Sequence, residues 1–115
     1  NANNPSEKEV KLLKSSNNVL QIYNAYNFPN PFFSSTQFCF EVTEVYDLKL
    51  DIYSLGGRKI WSYTDYNLNA GYNTVEWHGN DSFNGKIANG VYIYRIKAIG
   101  NNSTTSYIGK CAKYH

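Results

Sequence analysis

From residue 19 onward, apolar and polar positions alternate with a period of two over most of the chain. On β-branched and aromatic residues that periodicity predicts strands. The cleanest case is 46–53, with Leu48, Leu50 and Ile52 on one face and Lys49 and Asp51 on the other. In 91–96 the rows Val91/Ile93/Arg95 and Tyr92/Tyr94/Ile96 are both largely apolar. A strand wetted on one face would not need that, so this one is expected in the middle of its sheet. Further strands are predicted at 36–42, around Phe38 and Phe40; at 59–64, where Ile60 alternates with Trp61 and Tyr63; at 72–77; and at 104–114. The first, 19–26, can face either way, since Leu20/Ile22 and Val19/Gln21/Tyr23 are about equally apolar.

Turn chemistry separates these runs. Gly56 and Gly57 supply the positive φ of a hairpin turn, 65–69 reads as a loop leading into Asn69-Ala70-Gly71, and Gly100-Asn101-Asn102-Ser103 turns the last hairpin. In Phe28-Pro29-Asn30-Pro31-Phe32, two prolines predict an extended, polyproline-like path at a sheet edge or bridging two sheets, pinned to the core by both phenylalanines. About seven short strands at such spacing make an all-β protein, an Ig-like antiparallel β-sandwich with Trp77 in its core. Gly90-x-Tyr92 fits a tyrosine corner or a plain core tyrosine.

One domain, 19–115, accounts for most of the 115 residues, and 1–18 reads as a linker or frayed extension in which Ser6 and Glu9 can form one capping box. The chain starts without Met and is expected to be a piece of a longer protein. A net charge of +2 with no basic block argues against nucleic acid as a partner, and a monomer is expected. Alternation turns Cys39 outward, beside Gln37 and Glu41, and Cys111 inward, so two free thiols are expected rather than a disulfide.

Catalytic chemistry has little to stand on. No Gly-x-Ser-x-Gly surrounds any serine, the two histidines are His78 in a loop and His115 at the terminus, and neither cysteine has an activating neighbour in sequence. The acidic residues read as solvated strand exteriors. The loop from Asn80 fails as a calcium loop because its twelfth position is Val91. Asp81 and Asn84 are expected instead to bond nearby amides, with Gly85 left-handed. No catalytic, cofactor-binding or metal-binding residue is therefore expected. Trp61 and Tyr63, on one face of their strand, are candidates for stacking on a carbohydrate.

Five motifs in order carry a resemblance: Phe28-Pro29-Asn30-Pro31-Phe32; Leu50-x-Ile52-Tyr53-x-Leu55-x-Gly57-Arg58-x-Ile60; Trp77-x-Gly79-x-Asp81-x-x-x-Gly85; Gly90-Val91-Tyr92-x-Tyr94-Arg95-Ile96; and a closing strand with lysines. Over residues 26–113 the chain resembles the C-terminal Ig-like modules related to the flagellar hook-cap protein FlgD, including the type IX secretion sorting domains of Bacteroidetes. The resemblance implies a non-catalytic last domain of a larger exported protein, such as a gingipain-like or sortase-like peptidase. It implies transit of the periplasm to the cell surface, and recognition by the outer-membrane translocon and sortase-like components. It places recognition on the final strand, at Tyr107, Gly109, Lys110, Ala112 and Lys113. Ala112 is smaller than the family's usual residue there, and Tyr114-His115 extends past the terminal lysine. Both departures bear on whether such a domain is cleaved or retained. A hook-cap-like assembly module and a carbohydrate-binding or spacer module are the alternatives.

Overall fold

The computed structural model describes residues 19–114. Seven strands follow in order: β1 (Ile22–Phe28), β2 (Thr36–Val42), β3 (Tyr46–Ser54), β4 (Lys59–Leu68), β5 (Gly71–Trp77), β6 (Gly90–Ile99) and β7 (Thr104–Lys113). They pair antiparallel into a three-stranded sheet, β1-β2-β5, and a four-stranded sheet, β4-β3-β6-β7. The result is the expected all-β sandwich, with β6 between β3 and β7 as its two apolar rows require. The candidate capping box at Ser6 and Glu9, and His115, lie outside the described residues.

Inward rows of both sheets meet in one aromatic core. Phe38 and Phe40 of β2 and Leu50 and Ile52 of β3 are wholly buried, and each such side chain contributes roughly 1.5–3 kcal/mol of transfer free energy. Trp77 lies at the centre, 5.5 Å from the Phe32 ring, 5.9 Å from Trp61 and 6.3 Å from Phe38. Its indole N–H donates to the Asn80 carbonyl at 2.9 Å, so its one polar atom is satisfied. The Tyr92 hydroxyl donates to the Ala88 carbonyl at 2.7 Å, which makes the Gly90-x-Tyr92 spacing a tyrosine corner.

Several expectations are corrected. β1 starts later than 19–26, and its pairing with β2 shifts between Tyr23 and Tyr26, where Asn24 has a φ of 54°. That bulge reverses the alternation, so Phe28 is 69% exposed and only Phe32 enters the core. The proline segment bends, with both X–Pro bonds cis, and is not an extended bridge. β4 runs through 65–68, which the sequence marks as loop, because Leu68 pairs with Tyr46. Asp65 and Asp47 accept from the Tyr66 and Asn67 amides there and give the strand a loop-like composition. In the loop after β5 it is Asn84, φ 70°, that is left-handed, not Gly85. The Asp81 carboxylate accepts from the Phe83 and Gly85 amides at 2.9 and 2.8 Å.

Both cysteines are free and buried. Cys39 does lie on the outer face of β2, opposite Phe38 and Phe40, yet it is covered rather than solvated. Asp51 corrects the reading of the acids as solvated: it is on the outer face of β3 and wholly buried.

Candidate recognition surface

The closing strand β7 is the outer strand of the larger sheet, and half of that edge is already occupied. The Phe32 amide donates to the Ala112 carbonyl and the Tyr114 amide to the Phe32 carbonyl, both at 2.9 Å. The Asn30 side chain completes the closure: its carboxamide donates to the Lys110 carbonyl at 3.2 Å and accepts from the Ala112 amide at 3.1 Å. Asn30 is held by Asn27, which donates to Thr36, whose hydroxyl donates to the Pro29 carbonyl. Asn27 and Thr36 are buried, so this polar chain ties the edge of one sheet to the floor of the other.

These contacts show that even-numbered residues of β7 turn their backbone groups away from β6, as alternation in an unbroken antiparallel ladder requires. The outward groups of Thr104, Ser106 and Ile108 and the amide of Lys110 have no backbone partner among the described residues. The open edge is therefore a short window, 104–110. Ile108, 65% exposed, stands within it.

The sorting candidates divide by face. Lys110 and Ala112 pair with Ile93 and Val91 on the outer face, whereas Tyr107 and Gly109 pair with Ile96 and Tyr94 on the inner face. Gly109 is a packing residue: a Cβ there would lie 2.5 Å from Cζ and Oη of buried Tyr94. Tyr107 is half-buried with its ring 6.1 Å from that of Tyr94. Lys113 runs its aliphatic stem past Gly79, where φ is +68° and a Cβ would lie 3.1 Å from the lysine Cε and 3.2 Å from the Phe32 ring. Lys110 alone of the five is exposed. Ile108 and Asn30 are the members of this surface that sequence reasoning misses. Exposed Ile108 is an apolar residue in a wet row, and Asn30 acts through a contact far away in sequence.

The outer face of the larger sheet is cationic. Lys49 lies directly opposite Lys97, and Arg95, Lys59 and Lys110 share the face. Beneath them, Asp51 accepts from the Ser62 hydroxyl at 2.7 Å and from Arg95 Nη2 at 3.2 Å, with Lys59 Nζ 3.7 Å away. Burial pushes its carboxyl up, but Ser62, Arg95, Lys59 and Lys49 together outweigh that and hold it below the usual carboxylate value.

Trp61 and Tyr63 do not face outward. They pair with Ile52 and Leu50, stack on each other at 6.2 Å, and Trp61 leans on Trp77 at the margin of the core. Exposed aromatics cluster elsewhere, on the outer face of the smaller sheet. Tyr26 and Phe28 of β1 and Tyr72 of β5 wall a groove of about 430 Å³ whose floor is Gln37 and Cys39. Hydrogen bonding of the Tyr72 hydroxyl to Cys39 and to Tyr26, followed by desolvation, pushes the Tyr72 phenol above its ordinary pKa.

His78 is exposed and 3.9 Å from the Glu76 carboxylate. Among the described residues no three His, Cys, Asp or Glu side chains converge as metal ligands, and no helix is long and apolar enough to cross a membrane.

No protein-family model matches the sequence, and no curated protein matches it. Solved structures do. Dimeric latent PorU from Porphyromonas gingivalis is similar at TM-score 0.68 and 21% identity, over 84% of this chain and 9% of that one. FlgD from Xanthomonas campestris, whose structure bears on the hook capping essential for flagellar assembly, is similar at TM-score 0.58 and 15% identity, over 82% of this chain and 67% of that one. PorZ, an essential surface component of the Porphyromonas gingivalis type IX secretion system, is similar at TM-score 0.53 and 16% identity, over 80% of this chain and 12% of that one. The chain thus spans about a tenth of PorU and of PorZ. At these identities the likeness is one of fold: the chain has the Ig-like β-sandwich fold found in PorU, FlgD and PorZ.

Proposed function

We propose that this chain is a non-catalytic Ig-like module that directs a larger exported protein through type IX secretion to the cell surface. The supporting observation is the edge of β7, closed by Asn30 and Phe32 at one end and open at 104–110. A strand edge with unpaired amides and carbonyls is a template for another strand, and here it is limited to a few residues beside Ile108 and Lys110. The partner is the outer-membrane translocon, with sortase-like components acting after passage. The upstream part of the parent carries any catalysis. The likeness to PorU and PorZ supports this reading; FlgD is the precedent for a hook-cap-like role on the same scaffold.

Deleting β7 would also unfold the sandwich, so the test uses Ile108→Pro. The Ile108 N–H faces away from β6, and proline is tolerated where a strand's N–H points off the sheet. In the parent protein, expressed in a type IX-secreting host, Ile108→Pro should leave the product in the periplasm, while the isolated chain melts within a few degrees of wild type. Normal surface display of a folded Ile108→Pro variant refutes the proposal. Retained display together with lost filament assembly would favour the hook-cap-like role.

A further inference from the structure

The outer face of the smaller sheet is built unlike the rest of the surface. Its cross-strand rows are Tyr23–Glu41–Tyr72, Tyr26–Cys39–Thr74 and Phe28–Gln37–Glu76. Aromatic residues stand on the two flanking strands, and small or polar ones on the central strand. Because Phe38 and Phe40 take the inward positions of β2, the outward ones fall to Gln37, Cys39 and Glu41, and a trough forms along β2. Its volume, about 430 Å³, lies within the range of small-ligand sites, roughly 300–1,000 Å³. Phe28 is 69% and Tyr72 60% exposed, an arrangement that costs hydration free energy in the free protein.

We infer that this trough binds a neutral oligosaccharide. The ligand has to offer apolar faces to the rings and many hydroxyls to what lies between them. A sugar ring does both: its C–H faces stack on the electron-rich π surfaces. Its hydroxyls meet the Gln37 amide, the Glu76 carboxylate and the Tyr26 and Tyr72 phenols. The charge on this face selects against anions, since the three rows contain Glu41 and Glu76 and neither Lys nor Arg. A flat protein partner fits less well, because a polar floor divides the rings and they do not form one continuous apolar patch. This places carbohydrate contact on the opposite sheet from Trp61 and Tyr63. It is independent of the open β7 edge, so either assignment can fail without the other.

The test is affinity electrophoresis of the full 115-residue chain through native gels containing a neutral β-glucan, a galactomannan or an arabinoxylan, with amide NMR titration by the matching hexasaccharides. Retardation is expected with at least one polymer, with shifts centred on the Gln37, Tyr72 and Glu76 amides. Phe28→Ala and Tyr72→Ala should each weaken it about tenfold, and Phe28→Trp should preserve it. Tyr66→Ala, at an equally exposed tyrosine on β4, should leave it unchanged. Thermal melts confirm that each variant is folded. No retardation by any of the polymers overturns the inference. So does binding that survives Phe28→Ala and Tyr72→Ala combined. So does a response of the same amides to a lysine- and arginine-rich peptide and to no glycan, which would assign the trough to a basic protein segment.

Discussion

Replacing Asp51 by asparagine removes a buried charge while keeping its shape. The carboxylate is wholly buried on the outer face of β3, where it accepts from Ser62 at 2.7 Å and Arg95 at 3.2 Å and forms an ion pair with Lys59 at 3.7 Å. Breaking a fully buried ion pair costs about 3–5 kcal/mol. Here the Arg95 and Lys59 side chains remain 34% and 44% exposed, so water recovers part of the loss. A destabilisation of about 2 kcal/mol at pH 7 is expected, a fall of roughly 8–16 °C in Tm for a domain of this size. The pH dependence follows from the folded carboxyl lying below its unfolded value of about 3.9. Such a group contributes its stability fully above the unfolded pKa and loses it as pH falls through the folded one. The gap between wild type and Asp51→Asn should therefore be constant from pH 7 to about 5 and should close below pH 4. Urea unfolding at a series of pH values measures it. A gap that does not narrow as pH falls below 4, or one under about 0.5 kcal/mol at pH 7, would refute the reasoning, the latter by showing that the pair behaves as a solvated surface bridge.

Three further outcomes are expected. Gly109→Ala places a methyl 2.5 Å from Tyr94 and should destabilise the fold by about 1–3 kcal/mol, with Tyr94→Leu in the same chain recovering part of it in a double-mutant cycle. Asn30→Ala removes both side-chain bonds to β7 and should cost about 1 kcal/mol and speed hydrogen exchange at the Ala112 amide selectively. Burial pushes the Cys111 thiol up to about 12, so a thiol reagent at pH 8 should label Cys111 only as fast as the protein unfolds.

Much of this architecture is legible in the sequence wherever one residue follows another without an extra one in the ladder. β2, β3, β5 and β6 keep strict alternation, and the seven-strand sandwich, the buried Trp77 and the central place of β6 follow from it. Legibility fails at bulges. In β4 the pairing passes from Ile52↔Trp61 to Tyr53↔Lys59, which leaves Ile60 as the additional residue. Ile60 and Trp61 then both turn toward the core, and the outward aromatic pair inferred from simple alternation does not exist. The extra residue at Asn24 in β1 likewise reverses the alternation and turns Phe28 outward, so that Phe32 alone of the expected pair enters the core. Asp51 is hidden for another reason: a carboxylate in a polar row looks solvated until Ser62 and Arg95 are brought beside it by strands from elsewhere in the chain. The edge closure by Asn30 joins residues eighty positions apart, beyond the reach of any local pattern.

The size of the open window on β7 limits how it can be read. Two outward groups each from Thr104, Ser106 and Ile108 and one from Lys110 are available to an incoming strand. At a net 0.5–1.5 kcal/mol per hydrogen bond they supply about 7 kcal/mol. The loss of translational and rotational freedom on association costs about 4–15 kcal/mol, so backbone pairing alone leaves little or nothing. Any partner that binds here with useful affinity must also cover Ile108, whose burial adds roughly 1.5–3 kcal/mol, or meet the charge of Lys110. The strand edge then sets where a partner lies, and these two side chains set which partner it is. A longer open edge would bind more tightly but would also pair with other copies of itself. Closure by Asn30 and Phe32 restrains that self-pairing, since it leaves an edge too short to hold a strand without side-chain contact.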